Sequence, residues 1–158
     1  MKLSRKLPLG FAAVTLLVAC AGFFGMSQMN RSVDTFRQAV AMEGQARQVE
    51  SLLSHFRKQL QEWKNTLLRG KDAGERDKYW AAFQQNDTEV VAQVAALMAS
   101  LPEGEVRTLV AQFGAAHAQM GADFRRGYQY FVAAGHDPAA GDAAVKGKDR
   151  APAELLVQ

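Results

Sequence analysis

The chain is 158 residues long, is 48% hydrophobic and carries a net charge of +3, which is the size and composition of one folded domain. Its three excess positive charges are Lys2, Arg5 and Lys6, so the other 16 basic residues balance the 16 acidic ones. This balance excludes the basic surface that nucleic-acid-binding proteins use. A single cysteine, Cys20, excludes an intramolecular disulfide and the CxxCH attachment site of c-type haem.

The first long feature is the uncharged run of residues 7–29, LPLGFAAVTLLVACAGFFGMSQM. A helix of about 20 apolar residues spans the hydrocarbon core of a bilayer, so this run predicts a transmembrane helix. Residues 1–6 precede it and are basic, and basic flanks stay in the cytoplasm. We therefore expect a cytoplasmic N-terminus at 1–6, an anchor in the cytoplasmic (inner) membrane at 7–29 and a periplasmic domain at 30–158.

A lipoprotein is the alternative interpretation of the same run. The segment LVAC, residues 17–20, resembles a lipoprotein processing site, at which Cys20 would be lipidated and become the new N-terminus. The apolar run continues beyond Cys20, however, and is longer than the roughly 7–15-residue core of a cleaved signal peptide. An uncleaved anchor is therefore the favoured interpretation.

From Val33 onward, hydrophobic residues recur with helical spacing and predict an all-α fold. The first predicted helix continues from the anchor to Arg69, and Gly70 is expected to adopt the left-handed conformation of a C-terminal cap. Its apolar seam alternates steps of three and four residues, as in helices that pack at shallow angles. The predicted seam consists of Val49, Leu53, Phe56, Leu60, Trp63 and Leu67.

Two more long helices are predicted after this one. Asp72 and Glu75 form a capping box that begins the second helix, and Ser100, Pro102 and Glu103 mark the start of the third. The third helix is expected to end at Gly135. The seam of the second helix is Trp80, Phe83, Asp87, Val90, Val94, Leu97 and Leu101, and that of the third is Val106, Val110, Phe113, His117, Met120, Phe124, Gly127 and Phe131.

The remaining residues predict a loop and the start of a fourth helix. Residues 136–149 are rich in glycine, proline and aspartate, which is typical of a loop, and residues 150–158 read as the first turns of a helix. Together these elements predict an antiparallel up-down helical bundle with an incomplete fourth helix. We expect the chain to be a piece of a longer protein.

Polar residues in the predicted seams define a candidate site. Pairing antiparallel helices about the two turns places Asp87 within one residue of the level of both His55 and His117. A buried carboxylate needs a partner, and a structural Asp87–His117 hydrogen bond would supply it. The alternatives are a polar layer of His55, Asp87 and His117 that binds a small ligand or a metal such as zinc or iron, and an incorrect assignment of the seams.

The order of a basic N-terminus, one anchor helix and a periplasmic helical bundle resembles the N-terminal part of bacterial methyl-accepting chemotaxis proteins. The stretches EWKNTLLRGKD (62–72), KYWAAF (78–83) and VKGKDRAPAELL (145–156) resemble a sensor-domain type found in these transducers. The resemblance covers essentially the whole chain. Similar sensor bundles also precede histidine kinases and cyclic-dinucleotide enzymes, so the type of output domain stays open.

The resemblance implies a homodimer that binds a small molecule near its membrane-distal end, where arginines hold the ligand. In this chain that end offers Arg69, Lys64 and Trp63 as candidate ligand-binding residues, and arginine forks suit carboxylates. A second polar group is expected at the other end of the third helix, nearer the membrane: Arg125, Arg126, Tyr128 and Tyr130.

Motifs of enzyme active sites are absent from the sequence. It has no nucleophile elbow with a Ser/His/Asp order, no phosphate-binding loop and no HExxH motif, so we expect no enzyme and no required cofactor. The alternative to a receptor sensor is a membrane-anchored or lipidated helical-bundle protein that binds a metal or small molecule.

Overall fold

The computed structural model describes the backbone of residues 3–156 and the side chains of residues 15–156 except Asn30, Asp34 and Gln38. Within these residues the secondary structure is helical throughout, and the prediction of an all-α fold is confirmed. The helices are α1 (Leu3–Arg69), α2 (Ala73–Ser100), α3 (Glu105–Ala133), α4 (Pro138–Val145) and α5 (Arg150–Leu155). The chain divides into two compact units, Met1–Gly44 and Gln45–Gln158.

The first unit contains the N-terminal part of α1, which carries exposed apolar side chains such as Leu16, Phe23 and Phe24. Among the residues that the structure describes, none of the helices combines the length and the apolar character needed to cross a membrane. The predicted basic N-terminus (1–6) and the beginning of the predicted anchor (7–14) lie outside the residues with described side chains.

In the second unit the three long helices pack antiparallel, as predicted. Residue numbers rise along one helix while those of its contacting partners fall along the next. The contacting pairs are Ser51–Gln93 and Trp63–Trp80 between α1 and α2, and Val94–Gly114 and Trp80–Tyr128 between α2 and α3. The capping box is confirmed at its first residue, because the Glu75 backbone N–H donates to Asp72 Oδ1 over 2.9 Å.

The core of the second unit follows the predicted seams of α2 and α3 closely but that of α1 only in part. The buried residues of α1 are Leu52, Phe56, Gln59, Trp63, Thr66 and Leu67, of which Phe56, Trp63 and Leu67 belong to the predicted seam. Val49 is 40% exposed. The prediction chose one of two rows that both step by three and four residues, and it preferred the row without polar members.

The predicted end of the first helix at Arg69 is confirmed, but two of the predicted signals for helix ends are corrected by the backbone. Gly70 is not among the described glycines with positive φ, which are Gly104, Gly135 and Gly147. Its absent side chain instead makes room for α3, since a Cβ there would lie 2.9 Å from Phe131 Cζ. The third helix begins after Gly104 without a side-chain cap, so neither Ser100 nor Glu103 caps it.

The predicted loop at 136–149 is wrong, because α4 occupies most of it. Asp137 caps α4 by accepting from the Ala139 backbone N–H over 3.1 Å, and Pro138 takes the first helical turn, where a proline costs no hydrogen bond. Gly147, with φ of 75°, separates α4 from α5. The predicted start of a helix at Arg150 is confirmed by α5. Both short helices pack along α3.

Candidate functional site

Four hydrogen-bonded polar side chains cross the core of the second unit, and we call them the polar layer: Gln59 of α1, Asp87 of α2, and His117 and Arg125 of α3. Gln59 Nε2 donates to Asp87 Oδ1 over 2.8 Å, and Arg125 Nη1 donates to Asp87 Oδ2 over 3.0 Å. His117 Nε2 lies 2.8 Å from Gln59 Oε1 and 3.5 Å from Asp87 Oδ1. The carboxylate therefore connects all three helices.

The polar layer runs from a dry interior to the surface. The Gln59 and His117 residues are 0% and 1% exposed, whereas the Asp87 and Arg125 side chains are 17% and 50% exposed. Because the Gln59 amide nitrogen donates to Asp87, the Gln59 oxygen faces His117 as an acceptor. His117 must then carry its proton on Nε2 and donate it to Gln59.

Burial keeps His117 neutral. Removal from water lowers the pKa of His117 below its usual range, and this effect exceeds the opposing attraction of Asp87, while Arg125 lowers the pKa further. The ring centroids of Phe56 and Phe113 lie 6.2 Å and 5.8 Å from the imidazole. This apolar wall explains why the charged form of His117 is disfavoured.

A glycine on α3 allows the carboxylate of Asp87 to reach its partners. Gly121 lies midway between His117 and Arg125, and a Cβ there would lie 3.0 Å from Asp87 Oδ1 and 3.4 Å from Arg125 Nη2. Contacts this short require the neighbouring atoms to move. The absence of a side chain at Gly121 therefore leaves the space in which Asp87 and Arg125 form their ion pair.

The structure joins two of the three residues of the predicted polar layer. Asp87 and His117 approach to 3.5 Å, but the predicted direct hydrogen bond is replaced by bonds of both residues to Gln59. His55 Nδ1 lies 3.0 Å from Asn86 Oδ1 and forms a separate pair. His55 and Asn86 each precede a residue of the core face, so both lie at its edge. Among the described residues, no group of three or more His, Cys, Asp or Glu side chains is placed to hold a metal ion.

The three candidate ligand-binding residues near the first turn point to different surroundings. Trp63 is 4% exposed and lies in the core, where its ring centroid is 5.2 Å from that of Phe124. Arg69 donates to the Tyr79 hydroxyl over 2.8 Å on the side of α2. Lys64 borders an open cleft of about 320 Å³ on the side of α4. Trp63 is therefore separated from the two cations, whose role in binding stays a prediction.

The predicted position of the second polar group is wrong. Tyr128 stacks on Trp80 near the start of α2, with ring centroids 4.1 Å apart, and Phe131 packs beside Gly70. The end of α3 therefore lies at the first turn, together with Lys64 and Arg69. In three antiparallel helices, the end of the third lies beside the turn between the first and the second. The three helices and two turns predicted from the sequence were therefore enough to place this group correctly.

Sequence reasoning missed Gln59 and the role of Arg125. Gln59 occupies the alternative row of α1, in steps of four and three from Leu52, and a buried amide in a hydrophobic row indicates a polar contact across the bundle. Arg125 follows His117 by two steps of four residues, with Gly121 between them. That spacing places the three residues near one face of a helix.

Comparison with curated proteins gives the methyl-accepting chemotaxis protein CtpH of Pseudomonas aeruginosa, which is 36% identical to the chain over 143 residues. The match covers 90% of this chain and 24% of the relative, so the chain spans about a quarter of the length of that protein. No family model and no solved structure matches the chain. The resemblance predicted from the sequence is thereby confirmed: over nine tenths of its length the chain is similar to a bacterial methyl-accepting chemotaxis protein.

Proposed function

We propose that the chain is the extracytoplasmic sensor region of a chemotaxis transducer, which binds a small ligand and passes a conformational signal across the membrane. The observation that carries this proposal is the 36% identity to a chemotaxis transducer over 143 residues. The relative is about four times as long as the match, which leaves room for an output region. A chemotaxis signalling domain is therefore favoured over the output of a histidine kinase or a cyclic-dinucleotide enzyme.

Residues 7–29 are proposed as the anchor in the inner membrane. The support is the sequence itself, since this run carries no charge and follows three basic residues. Periplasmic and cytoplasmic reporter enzymes fused after Gln158 test the topology. Activity of the periplasmic reporter alone is expected, and activity of the cytoplasmic reporter alone would contradict both the anchor and the sensor.

The lipoprotein alternative needs its own measurement. Mass spectrometry of the mature chain should find Met1–Met29 retained, because the apolar run is longer than a signal-peptide core. A mature N-terminus at a lipidated Cys20 would exclude the anchor.

A small carboxylate is the proposed class of ligand, and Lys64 and Arg69 are the proposed contacts. Both cations are exposed near the first turn, and Lys64 borders the cleft between α1 and α4. A panel of carboxylates is screened by the rise in melting temperature that ligand binding produces. Alanine in place of whichever cation contacts the ligand, Lys64 on the α4 side or Arg69 on the α2 side, should remove the rise with little change in the melting temperature of the free protein. Lys71→Ala, which removes an exposed cation in the turn, should leave the rise.

A homodimer without enzymatic activity is the proposed working form. Dimerisation is expected from the family resemblance, and the mass of the protein–detergent complex by light scattering tests it. A mass of one chain at concentrations that give full ligand binding would refute the dimer while leaving the sensor proposal open to the ligand screen.

A further inference from the structure

We propose that the polar layer is a proton-operated switch, in which protonation of His117 transfers Asp87 from Arg125 to His117. The switch is a property of the bundle in residues 45–158. It therefore stands independently of the chemotaxis role and of the identity of any ligand.

The geometry places Asp87 between two side chains of one helix, and each of its two oxygens faces one of them. Its Oδ2 accepts from Arg125 over 3.0 Å, while its Oδ1 lies 3.5 Å from His117 Nε2, too far for a strong hydrogen bond. His117 and Arg125 are eight residues apart, which is about 12 Å along a helix axis. The carboxylate lies over Gly121, and there a short movement brings it towards either partner.

With a neutral imidazole, Arg125 is the better partner for Asp87. The Nε2 proton of His117 is already donated to Gln59, and the imidazole carries no charge to attract a carboxylate. Among the described residues, two charged groups act on the pKa of His117: Asp87 of α2 raises it, and Arg125 of α3 lowers it. The side facing α1 offers uncharged Gln59 and Phe56.

Protonation reverses the preference. It places a full positive charge on a ring that is 1% exposed and lies 3.5 Å from Asp87 Oδ1, and charge pairs attract more strongly in a buried site than at the surface. The Arg125 side chain is already 50% exposed, so it returns to solvent at little cost. The protonated layer therefore holds Asp87 through His117 and releases Arg125.

The exchange is expected to change the position of α3 relative to α2, because it moves the attraction on Asp87 of α2 from a side chain attached at Arg125 to one attached two helical turns earlier on α3. Shifts of about 1–2 Å are typical when packed helices change contacts. The expected movement is a small displacement of α3 along its axis, with the helices themselves intact.

Spin labels on the full chain in detergent micelles test the switch. Cys20→Ala removes the native thiol, and Ala81→Cys on α2 with Ala115→Cys on α3 provide exposed attachment sites. These sites lie at different heights on antiparallel helices, so an axial displacement changes their separation. Between about pH 8 and about pH 4.5 the distance should shift by about 1–2 Å, with a midpoint below the usual histidine pKa of about 6.5.

Four variants assign the shift to the polar layer. His117→Gln should abolish it, and Arg125→Gln should show the displaced distance already at the higher pH. Two matched controls should behave as the parent: His55→Gln, which removes another histidine, and Arg126→Gln, which removes a neighbouring arginine paired with Asp123. Nitrogen NMR of the His117 imidazole and circular dichroism are recorded over the same range.

Four outcomes overturn the proposal. The first is a distance that stays constant while the imidazole signal shows that His117 is protonated. The second is an imidazole that never protonates in this range. The third is the same shift in His117→Gln as in the parent. The fourth is loss of the helical dichroism along with the shift, because protonation would then unfold the bundle.

Discussion

Individual side chains in this bundle show how one polar row is accommodated in an apolar core. Gln59 and His117 are fully buried, yet each has a partner, and the row ends at a half-exposed arginine. A buried polar group without a partner costs about 1–3 kcal/mol. Removal of one member of the row therefore destabilises the fold, because its neighbour loses a hydrogen-bond partner. Trp63 Nε1 is a described exception, being buried without a hydrogen-bond partner.

Trp63→Ala should lower the free energy of unfolding by about 3–5 kcal/mol, the range for deletion of a buried large aromatic. Its ring packs against Trp80, Phe83 and Phe124. Arg69→Ala should lower it by about 1 kcal/mol or less, since its contacts with Tyr79 are at the surface. Urea unfolding of the two variants provides the comparison, and similar losses in both would show that Trp63 is not a core residue.

The stability of the bundle should fall as the pH drops below about 6.5, the histidine pKa of the unfolded chain. His117 has a lowered pKa in the folded state, so in this range the unfolded state binds more protons and gains free energy. Above about pH 6.5 both states hold a neutral imidazole and this contribution is constant. Urea unfolding at several pH values checks the slope.

In His117→Gln, the free energy of unfolding should depend less on pH in this range, because the contribution of residue 117 is lost. In His55→Gln that contribution should remain. A parent protein whose stability rises through this range as the pH falls would contradict the lowered pKa.

For individual residues, the sequence predicted that Asp87 and His117 lie close together, because both interrupt apolar seams at the same level of the bundle. It did not predict Gln59, because choosing the buried row of α1 requires the rotation of that helix about its axis. His55 was assigned by level alone, and level does not determine the direction of a side chain.

Among the helices, α4 differs most from the sequence prediction. Its composition has the glycine, proline and aspartate of a loop, yet Asp137 and Pro138 act as a cap and a first turn, and alanines follow. Gly141 was read as a loop residue, whereas it permits close packing: a Cβ there would lie 2.5 Å from Leu67 Cδ2. The start of α2 was predictable because its signal, the Asp72 cap, is local.

Gly127→Ala tests the packing of α4 on α3. An added Cβ would lie 2.5 Å from Val145 Cγ1 and 3.3 Å from Trp63 Cη2, so the substitution should lower the free energy of unfolding by about 1–3 kcal/mol, as for an overpacked core. Gly44→Ala is the control, because a Cβ there meets nothing within 4 Å and alanine favours a helix. A Gly127→Ala protein as stable as the parent would contradict the close contact of α3 and α4.

For the whole molecule, hydrophobic periodicity was enough to predict an antiparallel all-α bundle, since three long seams separated by short turns permit few other folds. The sequence could not predict that two short helices pack along α3, because that depends on contacts of Gly127 and Gly141 with distant residues. The similarity to a chemotaxis transducer supports the proposed sensor role of this bundle, and the polar layer is the proposed switch within it.

The most direct test of the sensor role is a hybrid transducer, in which this chain replaces the matching quarter of CtpH in cells without other chemoreceptors. The hybrid should restore tumbling to the swimming cells. Arg125→Gln should change the tumbling frequency, because it alters the polar layer, whereas Arg126→Gln should not. A hybrid that is present in the membrane at normal amounts, but leaves the cells swimming like receptor-free cells, would contradict the claim that this chain is the sensor region of a chemotaxis transducer.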